Sequence, residues 1–388
     1  MANPHKAPFP EKFMKVIDHI QRLDEKGVLY YLDYTEDYYE LEDYVSMLVI
    51  KPGCSTFVHK NKENEYFMGR NYDFSHYRYG DNSDPLDVTG LNIVVRGNNP
   101  KAKYKSIGVA DGYWMDAAHG TMFAGVPDDG KTDISAAAFL PFLCMDGLNE
   151  KGVAVSIMWL PTEAKWTETD YVSPDTIPEK DAESTFIYDE PGKVPGKLEY
   201  RAKNGSLAIN TADHKTWRAN TNFSVHQDDP GKKTVYHPVL MRMILDTCAS
   251  VDEAVRLTQQ VNVQSSMPDS DYHILVADRS GKSVILEWVH NRLNVVETNH
   301  ATNYFITRED HYGTGYERDD LLKAALAKYK DCMSAKAAEH LLALVSQDRH
   351  ENRHEGFTQW SAVYNFVQGT LKLFVHMDYD RCYEYRVL

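Results

Sequence analysis

The sequence predicts an α+β fold of antiparallel sheets and helices, and three observations carry that expectation. Short apolar runs rich in β-branched and aromatic residues recur at 91–96, 106–110, 152–159, 273–277, 283–289, 293–297, 361–366 and 371–376. The turns Arg279-Ser280-Gly281-Lys282 and Val367-Gln368-Gly369 are too short for anything but a hairpin between their flanking runs. Helical patterns then fall between the strand blocks, at 237–261, 317–331 and 334–346.

Taken in order, residues 1–53 differ in character from the rest of the chain. An amphipathic helix is expected over about 11–26, and after it an acidic, tyrosine-rich run from Tyr30 to Tyr39. Residues 54–60 and 65–74 then form a hairpin around Asn61-Lys62-Glu63-Asn64. With the turn centred near 62–63, Cys54 stands opposite Asn71, and Arg70 and Asp73 are its neighbours on the partner strand. The stretch 161–236 is rich in Pro, Gly, Asp, Lys and Thr and reads as a long excursion or lid, with a role in substrate access or subunit contact. Two helices come next within 237–261, the second opened by Ser250 with Glu253 three residues on, a capping box. Ser334 caps the helix at 334–346.

Composition narrows the function. The chain has 388 residues, 43% of them hydrophobic, enough for one large packed domain or two medium ones. Acidic residues outnumber basic ones 57 to 42, so the surface repels polyanions and nucleic acid is not an expected partner. Prolines and charges fill the N-terminus where a secretory signal needs an apolar core, and no run reaches the roughly 18 apolar residues of a membrane span. A cytoplasmic protein without a membrane partner is expected. Five cysteines at wide spacing, with no CxxC pair, argue for reduced thiols; those other than Cys54 read as core residues. His350-Glu351-Asn352-Arg353-His354 satisfies HExxH, but Gly356 comes at once and a strand begins near 360, so the helix that zinc ligation needs is missing. No metal and no cofactor are expected.

The chemistry centres on Gly53-Cys54. If the chain is cut there, Cys54 becomes an N-terminus whose α-amine, with a pKa of about 7.7–8.0, can take the proton of its own thiol at about 8.5. Arg70 favours the thiolate by Coulomb attraction, and Asp73 can orient the amine by accepting its hydrogen bond. The run from Cys54 to Phe74, with Gly69-Arg70-Asn71 and then Asp73, resembles the mature N-terminus of the choloylglycine hydrolase and penicillin V acylase family. Further blocks agree in order: Asn149-Glu150-Lys151-Gly152, Thr302-Asn303, Tyr316-Glu317-Arg318, and Trp360 to Asn365 with Gly369-Thr370-Leu371 after it.

That resemblance implies a four-layer αββα sandwich, two antiparallel sheets between helical layers, as in N-terminal-nucleophile hydrolases. It implies Asn149 and Asn303 as oxyanion donors and Arg318 as a second active-site arginine. It implies a propeptide over 1–53, removed or nicked at Gly53-Cys54, and a catalytic domain over 54–388 with an insertion at about 161–236. The expected substrate is a small N-acyl amide, such as a bile-salt conjugate or penicillin V, and the expected assembly is a homo-oligomer, dimer or tetramer. The run Gly313-Thr314-Gly315-Tyr316-Glu317-Arg318 lacks the serine common in the bile-salt branch and is closer to acyltransferase and ceramidase-like relatives. Trp114, Met115, Met122, Phe123, Phe139, Phe142 and Trp159 are candidates for an apolar acyl pocket or for plain core.

Overall fold

The computed structural model describes residues 11–25, 28–44, 53–74, 92–112, 134–161, 166–170, 182–184, 196–202, 207–211, 215–219, 225–265, 270–347 and 357–388. Two sheets dominate it. The larger has nine strands in the order Gln21–Arg22, Leu29–Tyr34, Asn92–Gly97, Ser106–Asp111, Cys144–Asn149, Ala154–Pro161, Ser270–Ala277, Ser283–Val289 and Arg292–Glu297. The smaller has six, His300–Ala301, Gly53–Lys60, Tyr66–Phe74, Phe357–Asn365, Thr370–Val375 and Tyr383–Arg386. Every pairing in both is antiparallel except that of Leu29–Tyr34 with Asn92–Gly97, which is parallel.

The inner faces of the sheets share one apolar core, in which Val58, Met68 and Tyr364 pack in the same cluster as Val109, Leu148 and Ala154. Helices His237–Thr247 and Val251–Gln259 lie on the large sheet's other face, against strands 144–149, 154–161, 270–277 and 283–289. Helices Tyr316–Lys328 and Ala335–Leu344 cover the small sheet, with Phe57 and Phe67 packed into Leu322, Leu326, Leu341 and Leu342. Covering both faces explains why the hairpin strands are continuously buried runs with little alternation. The result is the α+β, four-layer αββα sandwich expected from the sequence.

Both serine caps form as expected: Ser250 Oγ accepts from the Glu253 amide at 3.2 Å and Ser334 Oγ from the Ala337 amide at 3.1 Å. Other expectations need correction. In place of a helix over 11–26 there is one turn, Glu11–Met14, a 3₁₀ turn, Val16–His19, and the short strand Gln21–Arg22. The tyrosine-rich run beyond it contains a strand of the large sheet, Leu29–Tyr34. Phe13, Leu29, Tyr38 and Leu41 are wholly buried in the main core, so this segment is integral to the sandwich. The excursion at 161–236 contains an antiparallel five-stranded sheet in the order Ala182–Ser184, Gly196–Ala202, Leu207–Thr211, Lys215–Ala219, Trp166–Asp170.

All five cysteines are free thiols; Cys144 and Cys248 are core residues, but Cys332 and Cys382 are exposed. Of the candidate pocket residues, Phe142 is core and packs edge-on to Tyr38, Trp159 is half-buried, and Trp114, Met115, Met122 and Phe123 lie outside the described residues, as does the segment 350–354. No helix among the described residues is long and apolar enough to cross a membrane.

Candidate active site

The hairpin turn closes over five residues, with the Asn61 amide donating to the Glu65 carbonyl and Lys60 pairing with Tyr66. That moves the register one residue from the sequence expectation: Cys54 stands opposite Tyr72, and Arg70 opposite Thr56. Since side chains alternate across a strand, one step decides which way each points. Arg70 and Tyr72 reach into the large sheet, to Asp146 and Asp111, and Cys54 shares their face. Asn71 and Asp73 point the other way, to Leu342 and Gln347 at the helical layer.

Cys54 is wholly buried and gripped at three atoms. Its nitrogen donates to Asn303 Oδ1 at 2.6 Å, its carbonyl accepts from an Arg318 NH at 2.5 Å, and its thiol lies 3.7 Å from the Ile157 carbonyl. Gly53 and Cys54 are consecutive residues of one strand here, so that nitrogen is an amide. Burial pushes the thiol above its ordinary pKa, and the neighbouring Arg70 guanidinium works against that rise.

Arg70 is held in a fully buried ion pair, Nε to Asp146 Oδ2 at 2.6 Å, with further donation to the Ile157 and Asn71 carbonyls. Burial opposes its charge, but Cys54 and Asp146 outweigh that and strengthen its hold on the proton. Asp146 is held in turn by Trp360 Nε1 at 2.9 Å and by the Tyr364 hydroxyl. Trp360 also stacks on Tyr72, ring centres 4.0 Å apart.

Asp73 accepts from Thr358 Oγ1 at 2.6 Å, from Gln347 Nε2 at 2.8 Å and from Arg318 at 3.4 Å. Burial raises its pKa, with Arg318 and the two hydrogen bonds acting in opposition. Asp73 pairs across the strands with Gly53, and the Cys54 nitrogen donates to Asn303. Arg318 reaches the site from the first turn of helix Tyr316–Lys328, and it also donates to Ser55 Oγ at 2.8 Å and Asn303 Oδ1 at 3.1 Å. The residue before that helix is Gly315 at φ +83°, and a Cβ there would lie 2.6 Å from the Arg318 guanidinium. Glycine is therefore required both for the backbone and for the space, which accounts for the Gly-Tyr-Glu-Arg spelling.

The structure thus brings Cys54, Arg70, Asp73, Asn303 and Arg318 together. Asn149 is not among them. Its Nδ2 donates to the Leu245 and Cys248 carbonyls at 2.9 and 2.8 Å, and its Oδ1 accepts from the Lys151 and Val153 amides. Both ends of its amide are committed to tying the 149–153 turn to the end of helix His237–Thr247. Asn303 is at the site, but Nδ2 donates to the Trp159 carbonyl at 2.8 Å and it is the oxygen that faces Cys54. In this arrangement Asn303 orients the cysteine nitrogen.

Asp146, Trp360 and Tyr364 are neighbours of this cluster that sequence reasoning missed. The signal was present in Cys144-Met145-Asp146-Gly147-Leu148-Asn149, where an aspartate sits inside an otherwise small and apolar strand; a buried carboxylate is rare without a partner. Below Asn303, His273 bridges the Thr302 carbonyl at 2.8 Å and Glu287 at 3.2 Å, and Glu287 also takes the amides of Ile306 and Thr307. That network fixes the segment carrying Asn303.

Residues 201–383 match the model of a family described as acyl-coenzyme A:6-aminopenicillanic acid acyl-transferase. The matched stretch includes Asn303, Arg318, Asp73's partners Gln347 and Thr358, and Trp360. Among solved structures, the chain is similar to a mutant of conjugated bile acid hydrolase from Clostridium perfringens, at 15% identity and a TM-score of 0.49, over 86% of this chain and 92% of that one. It is similar to another variant of that hydrolase at 14% identity and TM-score 0.46, over 86% and 92%. It is also similar to penicillin V acylase from Agrobacterium tumefaciens, at 13% identity and TM-score 0.40, over 83% of each chain. No curated protein matches.

Proposed function

We propose that this protein is a self-processed N-terminal cysteine amidase. Cleavage between Gly53 and Cys54 frees the α-amine; Cys54 then attacks the carbonyl of an N-acyl amide, forms an acyl-thioester, releases the amine, and yields the acid on hydrolysis. The observation that carries this reading is the grip on Cys54, in which nitrogen, carbonyl and thiol each meet a different group. Asn303 orients the nitrogen that becomes the base. Arg70 sits beside the thiol and draws it toward thiolate, while Arg318, itself paired with Asp73, holds the Cys54 carbonyl.

Because residues 11–44 supply a strand and core side chains, the cut segment stays in place as a second chain. A second reading is acyl transfer to an amine acceptor in place of water, favoured by the description of the family model matched over 201–383.

One experiment tests both. Intact mass of the purified protein is expected to show two fragments divided between residues 53 and 54, and a panel of bile-salt conjugates, penicillin V, N-acyl amino acids and long-chain N-acyl amides is expected to yield product acids by mass spectrometry. Added amine acceptors divert product to new amides if transfer is the physiological reaction. A chain that is cut yet releases no acid and forms no new amide from any class would remove the enzymatic reading.

A further inference from the structure

We infer that Gln347 is a positioning residue for the self-cleavage step, holding the Asp73 carboxylate with its side-chain amide while packing that same amide against Gly53. The inference rests on the processing reading above and concerns a residue outside the motif blocks. Gln347 lies just beyond helix Ala335–Leu344 and is almost wholly buried. Its backbone is locked to strand Phe357–Asn365 in both directions: its amide donates to Thr358 Oγ1 at 2.9 Å, and the Thr358 amide donates to its carbonyl at 3.1 Å. Its side chain is thereby aimed at Asp73, where Nε2 donates to Oδ2 at 2.8 Å.

The same Nε2 fills the space beside Gly53. A Cβ on that glycine would lie 2.7 Å from Gln347 Nε2 and 3.3 Å from Asp73 Cβ. Gly53 is therefore a glycine because Gln347 and Asp73 occupy the place of its side chain, and the scissile peptide is set by that contact on one side and by the Asn303 and Arg318 bonds to Cys54 on the other.

The step needs such fixing. Cys54 Sγ forms a bond to the Gly53 carbonyl carbon, the C–N bond to Cys54 breaks, and the thiol proton ends on the departing nitrogen. Water then splits the thioester into the Gly53 carboxylate and the free thiol. Displacements of about 1 Å in such attacks cost up to roughly 100-fold in rate. A neutral donor suits the position: it satisfies Asp73 without competing with Arg318 for the charge.

The test monitors fragment formation by intact mass in a cell-free translation of the full chain, with folding checked by thermal melting. Gln347→Ala is expected to slow cleavage by about 10- to 100-fold. Gln347→Glu keeps the shape but sets a second carboxylate against Asp73; it is expected to be slow near neutral pH and to accelerate at least about tenfold as acidification protonates Glu and restores an O–H donor, a response a packing role would not produce. If Gln347→Ala fails to fold, the pH response of Gln347→Glu decides. Wild-type cleavage matched by both variants at every pH overturns the role of Gln347 alone. A wild-type chain that is never cut overturns the processing reading and this inference with it.

Discussion

A Cys54→Ala chain is expected to stay full length and to lose amide turnover by at least about 10⁴-fold, the scale on which removing a covalent nucleophile acts. In the proposed mechanism both losses share one cause, since the same sulfur attacks the Gly53 carbonyl once and the substrate carbonyl thereafter. The pocket that holds Cys54 is built by Asn303, Arg318, Ile157 and Arg70, none of which depends on sulfur for its own position, so the alanine chain should fold. Cys54→Ser keeps an attacking atom, but a hydroxyl yields its proton far less readily than a thiol, so slow cutting and residual turnover are expected. Cleavage is read by mass and turnover by acid release. Wild-type turnover in the alanine chain would end the assignment of Cys54.

The second large effect is on stability. Asp146→Ala leaves the Arg70 guanidinium buried without its counterion and strips acceptors from Trp360 Nε1 and the Tyr364 hydroxyl. Breaking a buried pair on one side costs about 3–5 kcal/mol. Against a typical total of about 5–15 kcal/mol, that threatens folding outright. The double variant Arg70→Met with Asp146→Leu is expected to be more stable than Asp146→Ala, because removing both charges removes the desolvation penalty. Urea midpoints of the two chains check this; equal midpoints for Asp146→Ala and wild type would show that the pair carries no structural weight.

Much of the sandwich was legible because its strands are short, β-branched and punctuated by tight turns. The Cys54 hairpin could be seen in the polar Asn61-Lys62-Glu63-Asn64 between two apolar runs, but not its register, which depends on Glu65 also joining the turn. The strand Leu29–Tyr34 was hidden because its partner, Asn92–Gly97, lies far along the chain and pairs in parallel. Asn149 was misassigned because its segment matches a family block while its side chain serves the local turn. Asp146, Trp360 and Tyr364 meet only in three dimensions, from strands more than 200 residues apart. Gln347 left no local trace: it is seen only in the space it fills beside Gly53.

The N-terminal strand changes what denaturation means for this molecule. In the uncut chain, Leu29–Tyr34 is tethered to the rest of its sheet, and unfolding is a property of one chain. If the proposed cut occurs and the segment stays bound, the same melting is also a dissociation, so its midpoint moves with protein concentration, and dilution alone loosens what the covalent link had held.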